Sequence, residues 1–143
     1  MGQPIQLCEP ALPTSSAIVV VTRPAAAEAR FADMLGSAMK VVISPVIRIE
    51  PVAFQIDLAG VGALVLTSRN GALALRGLPG LRGKPAFAVG TATAQSAKEL
   101  GLAVVSAPGD AHGLVATIVA ARPDGRLLFV RGVHSRGDIE NRL

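Results

Sequence analysis

Residues Ala63–Ala74 read ALVLTSRNGALA, and this stretch decides the fold class. Ala63–Leu66 is a short apolar run of the length that a strand covered on both faces needs. Thr67 and Ser68 then place two hydroxyls at its carboxyl end. Ser68 or Asn70 can cap the helix that follows, whose first turn leaves backbone N–H groups unpaired. Ala86–Ala97, AFAVGTATAQSA, has the same form of strand, turn and helix start. Strand tips that carry Thr and Ser ahead of helix N-termini suit an anionic ligand.

Outward from this stretch the same alternation continues. Toward the carboxyl end the pattern predicts a strand at Ala86–Val89, a helix at Thr91–Leu100 stopped by Gly101, and a strand at Val104–Ser106. A helix at Gly113–Ala121, a Pro123-Asp124-Gly125 turn, a strand at Arg126–Val130 and a helix from Ser135 onward follow. Toward the amino end, Ile18–Val21 reads as a buried strand ending in Thr22-Arg23-Pro24. Ala25–Leu35 is then a helix with Ala27, Phe31, Met34 and Leu35 on one stripe, and Lys40–Ser44 is a second strand. PVIRIEP at Pro45–Pro51, flanked by two prolines, reads as an extended crossing between domains, with a short helix expected around Phe54–Ala59. Strands alternating with helices through short connections mean an α/β fold with a mainly parallel sheet.

The totals agree with that class and exclude others. The chain has 143 residues, half of them hydrophobic and 17% charged, so it is not a disordered segment. Its net charge of +4 suits nucleic acid, a membrane surface or a polyanionic small molecule, as well as a merely soluble basic surface. With four Phe and no Tyr or Trp it lacks the stacking platforms of single-strand nucleic-acid binders. The single Cys8 excludes an internal disulfide, and no His, Cys or carboxylate cluster has metal-ligand spacing. Met1–Ala17, with three Pro, reads as a flexible extension without the pattern of a signal peptide. No apolar run approaches the roughly 20 residues of a membrane helix, which leaves the cytoplasm as the default compartment. P-loop, dinucleotide-binding and nucleophile-elbow patterns are all missing.

Six pieces, in order, resemble one family. They are VVVTRP at Val19–Pro24, SPVIRIEP at Ser44–Pro51, LTSRNG at Leu66–Gly71, AVGTATAQSAKELGL at Ala88–Leu102, HGLVATI at His112–Ile118 and LLFVRGVHSRGDIENRL at Leu127–Leu143. Together they resemble the amino-terminal part of uroporphyrinogen-III synthase. The resemblance implies two α/β domains joined by a two-stranded linker, the first of them discontinuous. The expected organisation is a flexible extension at 1–17, an incomplete βαβ piece of the first domain at 18–47 and a nearly complete three-layer, parallel-sheet second domain at 48–143. It also implies a chain stopping within the second domain's last helix, without the family's Val-Tyr-x-Thr strand or the returning half, hence a fragment or truncated product.

The implied reaction is a cofactor-independent cyclisation. Linear hydroxymethylbilane loses water and closes to uroporphyrinogen III with ring D inverted, through an azafulvene cation and a spiro intermediate. The implied partner is that small molecule, with a transient encounter with hydroxymethylbilane synthase and neither nucleic acid nor membrane. By the same resemblance Thr93 is the catalytic candidate, and Arg23, Thr67, Ser68, Gly90, Thr91 and Arg131 are substrate-binding candidates. All but Thr91 have a plain structural role as well. Thr67 and Ser68 cap a helix, Thr93 sits in a first helical turn, Gly90 makes a tight turn, Arg23 serves a hinge, and Arg131 is a solvated cation. A non-catalytic α/β ligand-binding or regulatory module of the same fold is the alternative.

Overall fold

The computed structural model describes residues 18–24, 39–107, 109–133 and 139–143. The chain divides into two units between Glu50 and Pro51. The extension at 1–17, the helix expected at Ala25–Leu35 and Cys8 lie outside the described residues.

In the first unit β1 (Ile18–Val21) pairs in parallel with β2 (Lys40–Ile43), with Ile18 opposite Lys40 and Val21 opposite Ile43. Alternate residues of a strand face opposite ways. Val21 is buried, whereas Ile18 and Val20 are exposed, so the apolar run IVVV is covered on one face and not on two, as its composition suggests. Past β2 the chain runs irregularly to Leu58, with Val46, Ile47 and Ile49 exposed. No helix forms around Phe54–Ala59. The Asp57 carboxylate accepts the Ala59 N–H at 2.8 Å, and such a local bond favours a turn over a helix.

The second unit is a four-stranded parallel sheet in the order β5-β4-β3-β6, made of β3 (Val61–Leu66), β4 (Pro85–Val89), β5 (Ala103–Ala107) and β6 (Arg126–Val130). Helices α1 (Arg69–Ala74), α2 (Thr91–Glu99), α3 (Ala111–Ala121) and α4 (Ile139–Arg142) follow β3, β4, β5 and β6 in turn. The alternation along β3 sorts them into layers. Leu64 and Leu66 point to one face, where Ala72, Leu75, Ala94 and Ala97 of the α1–α2 layer meet them. Ala63 and Val65 point to the other, against Leu114, Val115, Ile118 and Ile139 of the α3–α4 layer. Leu64, Leu66 and Val65 are fully buried, each contributing about 1.5–3 kcal/mol from burial. This is the three-layer α/β architecture that the alternating pattern requires.

Two cations are consumed at the amino edge of the sheet. Lys84 donates to the Val61 carbonyl at 2.9 Å, and Arg126 donates to the Ala59 carbonyl. Part of the basic excess therefore holds strand starts together.

Candidate functional site

The strand order reverses between β3 and β6. From β3 the chain passes outward through β4 to β5, then returns through α3 to lie on the other side of β3. Ligands of open α/β sheets bind beyond the carboxyl ends of the strands at such a reversal. Leu66 is level with Val130 on one side and with Ala88 on the other. The residues just past these positions therefore share one edge. They are Thr67 and Ser68 after β3, Gly90 and Thr91 after β4, and Arg131 after β6.

Ser68 is the N-cap of α1, and its Oγ accepts the Gly71 N–H at 3.1 Å. Thr67 beside it is half-buried. Gly71 lets α1 approach β6, because a Cβ there would stand 3.0 Å from the Val130 carbonyl oxygen. Gly90 has φ 74° and ψ 157°, a region essentially closed to residues with a Cβ, and nothing lies within 4 Å of where that Cβ would be. Its role is thus the turn itself. Gly90 gives α2 no side-chain cap, and the first intrahelical bond there is Ala94 N–H to the Gly90 carbonyl. The N–H groups of Thr91, Ala92 and Thr93 precede it and lack intrahelical partners.

The third helix start is built differently. Asp110 caps α3, accepting the Gly113 N–H at 2.9 Å, and that bond, with the His112 N–H and the nearby His112 and Arg142, holds its carboxyl below the usual 3.8. The N-terminus of α3 already has its anion, whereas α1 has a neutral hydroxyl and α2 has no cap. The edge is therefore receptive to an anion beyond β3 and β4, not beyond β5.

Thr93 is only 5% exposed. Threonines in helices often donate back one turn, as Thr117 does to the Gly113 carbonyl at 2.7 Å. Four residues before Thr93 stands Val89, which belongs to β4, and among the described residues no hydrogen bond reaches the Thr93 hydroxyl. Arg131 pairs through Nε with Glu140 at 2.7 Å.

The second unit thus brings Thr67, Ser68, Gly90, Thr91 and Arg131 to one edge, while Thr93 is buried in the first turn of α2 behind it. Arg23 is an exposed residue of the first unit, just past β1. The Glu140 pair and the Gly71 approach are not legible from the sequence, because each depends on which elements are neighbours, and the Asp110 cap was missed as well. The local signal for Asp110 was present, an Asp ahead of an apolar periodic run. Among the described residues no group of His, Cys, Asp and Glu could hold a metal ion, and no helix is long and apolar enough to cross a membrane.

Fold and edge define a parallel α/β protein whose strand tips present hydroxyls, backbone N–H groups and a cation at a topological reversal. A family model described as uroporphyrinogen-III synthase HemD matches residues 25–143. The chain belongs to the uroporphyrinogen-III synthase family. No curated protein matches it.

Proposed function

We propose that this chain acts on hydroxymethylbilane, closing it to uroporphyrinogen III with inversion of ring D and release of water, as a lyase of tetrapyrrole biosynthesis in the cytoplasm. The observation that carries the reading is the hydroxyl- and N–H-bearing edge beyond β3 and β4, in a chain of this family. The substrate is a flexible polycarboxylate that is already reactive, so catalysis is chiefly a matter of folding it and stabilising developing charge.

In this reading the uncapped start of α2 and the Gly90 turn take substrate carboxylates through backbone N–H groups. Thr67 and Ser68 add hydroxyl contacts, and Arg131 adds a charge-assisted one. The Thr93 hydroxyl, without a hydrogen-bond partner among the described residues, hydrogen-bonds the substrate or the departing hydroxide. Loss of hydroxide leaves an azafulvene cation. Held in a bent conformation, that cation closes through the spiro intermediate and not directly. Arg23 contributes to substrate binding from the first unit. No cofactor enters this scheme, and hydroxymethylbilane synthase, as the source of a labile substrate, is a transient partner.

Incubating the purified chain with hydroxymethylbilane and resolving the uroporphyrinogen isomers tests this. Isomer III is the expected product. Isomer I alone, at the uncatalysed rate, would overturn the catalytic reading, and tight binding without turnover would favour a ligand-binding module.

A further inference from the structure

Arg131 does not stand on β6 as a loose cation. Its Nε is held at 2.7 Å by Glu140, a residue of α4 on the far side of the β6–α4 connection. Contacts among the described residues position α4. Ile139, 4% exposed, is seated with Val65, Leu127 and Phe129, and Arg142 meets His112 Nδ1 of α3 at 2.6 Å. The Glu140 carboxylate, one of the groups that hold Arg131, is thus carried by an element docked through both of its ends. The pair itself is solvent-accessible, with side chains 37% and 55% exposed, and such pairs add little to stability. What it does determine is direction. A guanidinium is a rigid planar fork, so a partner on Nε fixes the plane in which its other donors lie.

We propose that Glu140 is a positioning residue that orients Arg131 for a carboxylate of a polyanionic ligand at the carboxyl edge of the sheet. This rests on the reading of Arg131 as a substrate-binding residue. Glu140 acts through Arg131 and does not touch the substrate. Its own negative charge lies within the Debye length of about 8 Å of any anion held by Arg131, so it repels that ligand even at physiological salt. The orienting effect exceeds this repulsion, so losing Glu140 weakens binding.

The test titrates the full chain with uroporphyrin III, a stable octacarboxylate related to the product, at two salt concentrations. Arg131→Gln, Glu140→Gln, Glu140→Asp and the Arg131→Gln/Glu140→Gln double variant are compared, with circular dichroism checking each fold. Glu140→Gln is expected to weaken binding about two- to fivefold, less at the lower salt where the repulsion removed with Glu140 is larger, and Glu140→Asp to recover part of the loss. The double variant should bind no more weakly than Arg131→Gln alone. Unchanged or tighter binding by Glu140→Gln, or a further loss in the double variant, would overturn the positioning role while leaving Arg131 in place. Parent-like binding by Arg131→Gln would instead remove Arg131 from the site, and the inference with it.

Discussion

Gly71 lies so close to β6 that a Cβ on it would stand 3.0 Å from the Val130 carbonyl oxygen. The first turn of α1 therefore rests on the last residue of the neighbouring strand. This contact sets the start of α1 against the end of β6, the strand that Arg131 follows. It also explains a glycine inside a helix, where glycine ordinarily costs about 1 kcal/mol relative to alanine.

Substitution at Gly71 should accordingly depend on size. In Gly71→Ala the gain in helix propensity and the tight approach to Val130 oppose each other, and stability should stay within about 1 kcal/mol of the parent. Gly71→Val forces α1 away from β6 and should cost about 2 kcal/mol or more. Urea denaturation of the two variants measures this. A Gly71→Val chain as stable as the parent would mean that the contact yields freely.

Ser68 has two separable duties. Ser68→Ala removes the bond to the Gly71 N–H and should cost about 1 kcal/mol. Ser68→Asp keeps a cap acceptor and places a charge at the helix start, so stability should be retained. The same charge would repel an incoming carboxylate and should weaken uroporphyrin III binding about tenfold. Parent-like binding by Ser68→Asp would reduce Ser68 to a cap.

Thr93→Val replaces a buried hydroxyl that forms no hydrogen bond among the described residues with a methyl group of similar volume. Removing such a group is neutral or stabilising for the fold. Thermal denaturation should therefore show no loss of stability, while formation of isomer III from hydroxymethylbilane falls. Full activity in a stable Thr93→Val chain would remove the hydroxyl from the reaction.

Asp110 predicts a dependence on pH. Its carboxyl is held below the usual 3.8, first by the Gly113 N–H, so the folded state favours the ionised form. The resulting stabilisation is complete above the unfolded value of 3.8 and is lost as pH falls through the lower folded value. Asp110→Asn keeps an acceptor for Gly113 but does not titrate. The parent's advantage over Asp110→Asn should be constant near neutrality and shrink only in acid below 3.8, as denaturation series at several pH values would record. An advantage unchanged across that acid range would exclude ionisation of Asp110 as its source.

Local chemistry made much of this protein legible from its residues. The apolar runs at Ile18, Ala63, Ala86 and Arg126 mark strands because short runs bounded by turn residues have few other uses. Ser68 marks a helix start because its side chain can reach an N–H within three residues. Gly90 marks a turn because its φ and ψ exclude other residues. Where local and distant forces compete, the residues alone mislead. A short helix is expected around Phe54–Ala59, yet Asp57 turns the chain, and Ile56 and Leu58 pack onto the core without a helix. The run at Ile18–Val21 announces a strand but not which face is covered.

By itself, then, the sequence determined the α/β class, the strands and helices of the second unit's sheet and the hydroxyls at the strand tips, since each follows from neighbours a few residues apart. Only the tertiary structure decided that β6 returns beside β3, that the Thr67-Ser68 turn and Arg131 therefore leave neighbouring strand ends, and that Glu140 holds that arginine. These pairings join residues separated by long loops. They are selected by which faces of β3 bury Leu64 and Leu66 against one helical layer and Val65 against the other, a choice that no local pattern encodes.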